Sequence, residues 1–145
     1  MAEPASLDSN LQILATLTLD STRSLIKKTQ SVAFRPKSVR DLEEELKALG
    51  TVLDSLTKVS AITNVDISTL GAPLSQCSAI CKEFERQINE QIAQCSDFQW
   101  AKLKLKHIGV DINGFKNLLA AHKSTFGIAH SCATLLVCTS PMHAT

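Results

Sequence analysis

The sequence predicts an all-α protein, an antiparallel four-helix bundle. Three observations carry this. Glycine and proline number only five and four in 145 residues, tyrosine is absent, and strand-like alternation is rare. Four long stretches repeat large apolar residues in steps of three and four, the period of one face of an α-helix. Short segments rich in turn formers separate those stretches.

The second stretch, Ser38 to Ser60, is the clearest. Val39, Leu42, Leu46, Leu49, Leu53 and Leu56 form one stripe, and Val52 and Val59 widen it. A stripe that wide suits a bundle core better than a two-stranded seam. Arg40, Glu43, Glu44 and Lys47 occupy the opposite face, with two i,i+4 pairs contributing ~0.2–0.5 kcal/mol each. Ser38 is placed to cap this helix, with Asp41 three residues on.

Around it the chain reads in order. Residues 1–9 predict a disordered start. A first helix covers 10–33, with Leu11, Leu14, Ala15, Leu25, Ile26 and Val32 on its stripe and Thr18 and Thr22 filling the middle. Arg35-Pro36 ends it, because the residue before proline is driven out of helical geometry. The segment AITNVDISTLGAP crosses to a third helix, which starts near Leu70 or Pro73 and runs to Cys95. Its stripe is Leu70, Leu74, Cys77, Cys81, Phe84, Ile88, Ile92 and Cys95. The last helix is expected from Trp100, with Ile108, Ile112, Phe115, Leu119, His122, Phe126, Ala129, Ala133 and Leu136 facing inward. Gly109 and Gly114 weaken it, and a kink or break is expected near Lys106–Gly109. One domain, residues 10–137, results, and 138–145 reads as a disordered tail.

Composition narrows the function. A formal net charge of +1 gives no global attraction to nucleic acid. The start MAEPASLDSN lacks the basic and apolar regions of a signal peptide. No apolar run is long enough for a membrane span. Five cysteines without a secretory signal read as reduced thiols in a cytoplasmic protein. Cys77 and Cys81 share a face four residues apart, but that face is the apolar stripe, where cysteine packs as a small hydrophobe. His130, Cys132, Cys138 and His143 match no zinc spacing. No nucleophile elbow or phosphate loop is present. The expectation is no enzyme, no cofactor, no metal and no small-molecule substrate.

The feature left over is basic. Arg23, Lys27, Lys28, Arg35, Lys37 and Arg40 lie between Asp20 and Asp41 with no acid among them. A corner projecting from a bundle end is expected to bring such side chains to solvent together. There they suit an acidic partner or an anionic membrane surface.

The segments RPKSVRDLEEELKALGTVLDSL, CSAICKEFE and WAKLKLKHIGVDINGFKNLLAAHKSTFGIA, in that order, resemble a fungal family over about residues 11–135. This is the N-terminal domain of azaphilone pigments biosynthesis cluster protein L, also described as the HeLo-like N-terminal domain of fungal STAND (NLR-like) proteins. The resemblance implies a helical bundle without catalytic residues that works as an effector or adaptor module. The leading expectation is therefore a non-enzymatic interaction module acting through protein contacts or self-association. The alternative is a peripheral membrane-associating cell-death effector, and a metal- or thiol-dependent enzyme is the weakest reading. Family members often open with a long apolar, glycine- and alanine-rich first helix. Here Asp20 and Arg23 interrupt that segment, so insertion of this helix into lipid is not expected.

Overall fold

The computed structural model describes residues 6–62, 68–94, 98–100, 103 and 110–144, with side chains placed outside 6–10, 60–62, 68 and 136–144. Four helices follow in order: α1 (Ser6–Gln30), α2 (Lys37–Ile62), α3 (Gly71–Gln94) and α4 (Ile112–Ala144), with a 3-10 turn (Ser68–Leu70) ahead of α3. Among the described residues there is no β-strand element. The fold is the helical bundle that the apolar periodicity requires.

The central pair is α1 and α2, joined by residues 31–36 and packed against each other. α3 lies along α1, and α4 lies along α2. Consecutive helices are antiparallel, as expected, but neighbours in space are not all consecutive. Thr18, Ser21 and Ser24 of α1 meet Leu74, Ser78 and Glu85 of α3 in rising order, so these two helices run parallel. Ser38 shares a small cleft with Asp111, Ile112 and Asn113, while Glu45 meets Lys123, so α2 and α4 are parallel too. α3 and α4 meet little. Phe84 and Phe115 stack between them, with ring centroids 4.6 Å apart at 29°.

The stripes decide which faces are inside. Val39, Leu42, Leu46, Leu49, Leu53 and Leu56 of α2 are all fully buried. Cys77, Cys81, Phe84 and Ile88 of α3 and Ile112, Phe115 and Leu119 of α4 join them in one core. Burying an aliphatic or aromatic side chain contributes about 1.5–3 kcal/mol, so this one cluster dominates stability. Thr18 and Thr22 are buried at mid-stripe of α1. A buried hydroxyl must find an acceptor. Thr18 Oγ1 lies 2.9 Å from the Leu74 carbonyl and 2.8 Å from that of Leu14. The Ser21 and Ser78 hydroxyls pair at 2.9 Å. Short hydroxyl side chains thus seat α3 on α1 where α2 uses leucines.

Several boundaries differ from the expectations. α1 is already helical at Ser6 and stops at Gln30, where the Arg35 guanidinium takes the Gln30 carbonyl at 3.0 Å. α2 begins at Lys37, and its first turn is closed by the Pro36 carbonyl, which accepts from the amides of Val39 and Arg40 at 3.0 Å each. Pro36 has the fixed φ that starts a helix, so it displaces Ser38 from the capping position. The Asp41 carboxylate is held by Lys37 at 3.0 Å instead. Ile92, expected inside, is 47% exposed. The α1–α3 register sets Ser24 beside Glu85, so Ile92 lies beyond the last turn of α1 and has no helix to cover it. Cys95 and Ile108 lie outside the described residues, as does the kink expected at Lys106–Gly109.

The last helix starts at Ile112, not Trp100. Asp111 caps it: its carboxylate accepts from the Gly114 amide at 2.9 Å, and its carbonyl accepts from Phe115 at 2.8 Å. Gly114 is a requirement here rather than a weakness. A Cβ at this position would stand 2.7 Å from Cβ of Val110. Toward the other end α4 continues to Ala144, through the segment expected as a disordered tail. No glycine follows Gly127 and no proline interrupts before Pro141, and each added residue gains one helical bond once the helix is nucleated.

Candidate functional site

The basic corner is the candidate that the sequence singles out, and the fold divides its six cations. Arg23 reaches Asp54 of α2 at 3.9 Å, with both side chains largely in solvent. Such a surface pair contributes at most ~1 kcal/mol. Lys27 and Lys28 sit in the last turn of α1, where positive charge meets the negative end of the helix dipole. Lys37 pairs with Asp41, and Arg40 is exposed, with no carboxylate within ion-pair distance among the described residues.

Arg35 does not project to solvent with the others. Its Nη1 caps α1 at Gln30, and its Nε lies 3.1 Å from Oε2 of Glu43. Glu43 is buried at 4% exposure. The contact has the separation of an ion pair without the alignment of a hydrogen bond. A buried carboxylate costs several kcal/mol unless it is compensated, so Arg35 serves the fold by neutralising Glu43. The expectation that all these cations face solvent together is corrected at this residue.

A cleft of about 470 Å³ opens at the corner, lined by Arg35, Lys37, Arg40 and Lys47 and by three carboxylates. Lys47 lies 3.6 Å from Glu44. Asp41, Glu43 and Glu44 match three of its four cations, Lys37, Arg35 and Lys47, and leave Arg40 as the one without an ion pair among the described residues.

The connection between α3 and α4 closes the same end. The Trp100 indole N–H donates to the Phe34 carbonyl at 2.7 Å, and Phe98 packs edge-on against the Trp100 ring at 4.7 Å. The Phe34 side chain itself is 74% exposed. It was not legible as a site in the sequence. Its only signal there is an aromatic residue one step before Arg35-Pro36, in a segment that a proline keeps out of any helix stripe.

Other large apolar side chains also face solvent. Ile13 and Leu17 lie four apart on α1, and Ile128 and Leu135 lie seven apart on α4, with exposed Cys132 between them. These spacings return to one helical face. All are off the core stripe, which was the signal available in the sequence.

The thiols of α3 lie inside. The hydrogen bond with Cys77, with burial adding to it, holds the Cys81 thiol well above its ordinary pKa. A thiol kept protonated is a poor nucleophile and a poor metal ligand. In the native protein, labelling by a maleimide or disulfide reagent is expected to be slow at Cys77 and Cys81 and fast at exposed Cys132. Fast modification of the α3 pair under native conditions would show that this helix is not packed on α1. Burial also lowers the pKa of His122, which stacks on Phe126 with centroids 5.9 Å apart. The His130 ring faces Thr134 at 3.4 Å, and Cys138 and His143 have no described side chains. Among the described residues no group of three or more His, Cys, Asp or Glu is arranged to hold a metal. No described helix is long and apolar enough to cross a membrane.

The model of the family described as pigment biosynthesis cluster protein PigL N-terminal matches residues 2–143. The chain belongs to this family. The match takes in α1 to α3 and all but the last residue of α4, and extends beyond the segment on which the resemblance was drawn. No curated protein and no solved structure matches the chain. Membership in the PigL N-terminal family therefore identifies the kind of domain, and the chemistry must be argued from its surfaces.

Proposed function

We propose that this PigL N-terminal domain is a non-enzymatic helical interaction module that acts through protein–protein contacts, self-association included. The single observation behind this reading is the presence of large apolar side chains in helical register on outward faces. Ile128 and Leu135 are 64% and 66% exposed on α4, and Ile13 and Leu17 are 52% and 47% exposed on α1. Isolated exposed apolar residues are ordinary. Aligned ones form a helix face that a second helix covers through i, i+4 and i+7 anchors. The core needs none of the four, since its stripes are complete without them.

The finer assignment belongs to the same proposal. It is a cytoplasmic signalling adaptor of the HeLo-like kind that stands at the N-terminus of fungal STAND (NLR-like) proteins. Two features support a role without catalysis. The α3 thiols are buried, and that of Cys81 is held protonated, and three of the four cations in the corner cleft are matched by carboxylates.

Self-association is the mode that the chain can be tested for alone. Light scattering after size exclusion is expected to show a mass that rises with protein concentration. Ile128→Lys is expected to suppress that rise without changing helicity. A rise that persists in Ile128→Lys and in Ile13→Lys would remove these faces from the account.

A further inference from the structure

We propose that the outward face of α4 pairs with the same face of a second copy of this chain, antiparallel about a two-fold axis beside Ser131 and Cys132. In this register Ile128 of each copy packs on Leu135 of the other. The inference rests on the self-association reading above and adds the helix that makes the contact, its direction and its register.

The solvent face of a bundle helix is normally charged. Here α1 exposes Asp20 and Lys27, α2 exposes Arg40 and Glu44, and α3 exposes Lys82 and Arg86. On α4 none of the exposed, described side chains is charged, and the sequence has no Asp, Glu, Lys or Arg after Lys123. Ile128 and Leu135, 64% and 66% exposed, lie seven residues apart on this face, with Ser131 and Cys132 exposed between them. A Cβ added to Gly127 would meet nothing within 4 Å, so space is open beside Ile128.

The missing charge selects the occupant. A charged partner surface would lose hydration against this face and gain no ion pair from it. The chain itself offers the matching surface. Among the described residues α4 is the one helix with an uncharged outward face, whereas the line through Ile13 and Leu17 on α1 runs on into exposed Asp20. The same patch on two subunits closes as a two-fold dimer. A parallel pair would set Lys123 beside Lys123 of the second copy and align the two helix dipoles. The antiparallel pair separates these lysines and carries each toward the C-terminal turns of the other α4, where the dipole favours a cation. A strip one helix wide, about 35 Å long and ~10 Å across, falls below the ~800 Å² per partner of a standard interface. The pair therefore forms at raised protein concentration.

The test is sedimentation equilibrium of the full chain and of charge variants, with circular dichroism to check the fold. Ile128→Lys and Leu135→Glu are each expected to weaken dimerisation roughly a hundredfold, because every dimer loses the contact twice. Ile128→Lys together with Leu135→Glu is expected to recover most of the loss, since each new Lys then faces a new Glu across the two-fold axis. A merely structural role for these side chains would make the double variant worse than either single one. As a second readout on the unaltered chain, oxidation by copper–phenanthroline is expected to trap a disulfide-linked dimer that Cys132→Ser abolishes. A double variant that does not recover, or the absence of a Cys132-dependent trapped dimer, overturns the proposal. Self-association that both single variants leave intact overturns the α4 pair alone and leaves the self-association reading standing. A wild-type chain that stays monomeric at every attainable concentration overturns both.

Discussion

Phe115→Ala is expected to destabilise the domain by about 3–5 kcal/mol. Phe115 is fully buried in the first turn of α4, and it stacks on Phe84 where α3 meets α4. Replacement removes the burial of a ring, leaves a cavity, and breaks an aromatic pair worth ~0.5–1.5 kcal/mol beyond its area. A domain of this size is stable by only ~5–15 kcal/mol, so the loss is a large fraction of the total. Urea denaturation measures it. A double-mutant cycle with Phe84→Leu isolates the pair, because residues in contact couple where distant ones add. Coupling near zero would mean that the rings do not hold α3 and α4 together. The effect should exceed that of exposed replacements such as Ile128→Lys, since only Phe115 lies within the core cluster.

Leu49→Ala is expected to cost about 2–5 kcal/mol. Leu49 lies mid-stripe on α2, the helix that packs against both α1 and α4. Its neighbour Gly50 faces Leu19 of α1, with 3.8 Å between a Cβ built there and the Leu19 side chain. Because α2 packs against both α1 and α4, collapse into the space vacated by buried Leu49 would have to shift helices held by the whole core. The chemical denaturation midpoint is expected to fall with little change in slope, the mark of a lost packing contact in an unchanged fold. A loss below about 1 kcal/mol would place α2 at the surface of the bundle and contradict the core described above.

The stripes were legible because burial alone creates them. Val39 to Leu56 on α2, Cys77 to Ile88 on α3, and Ile112, Phe115 and Leu119 on α4 are recognisable from spacing before any packing is known. What spacing does not carry is which helices touch. Four amphipathic helices can close in several orders. Here the order depends on hydroxyl contacts such as Thr18 with Leu74 and Ser21 with Ser78, which have no periodic signature. The start of α4 was misread for a related reason. Trp100 and Leu103 are both buried and extend the apolar pattern backward from Ile112, although they belong to the connection across the bundle end. Asp111 capping Gly114 was the available signal, and the two glycines obscured it.

The candidate surface was legible in part. The run of cations without an acid is plain in the sequence, but charge counting cannot show that Arg35 is spent on buried Glu43. The sequence places Glu43 opposite the stripe of α2, yet the corner folds over it. Phe34 had no pattern to reveal it, because one exposed ring becomes informative only when its backbone is seen to be fixed and its neighbours charged. The apolar residues of α1 and α4 that face solvent could be listed as off-stripe positions. Their alignment on outward faces required the bundle.

The central claim is that this PigL N-terminal domain works through its outward helix faces and not through a buried reaction centre. Amide chemical shifts of the labelled protein, followed as its concentration rises, test this most directly. The account predicts progressive shifts and broadening at Ile13 and Leu17 of α1 and at Ile128, Cys132 and Leu135 of α4, with Leu42 to Leu56 unchanged. Changes confined to the buried α2 stripe, or a spectrum that does not change at any attainable concentration, would contradict the self-association it proposes.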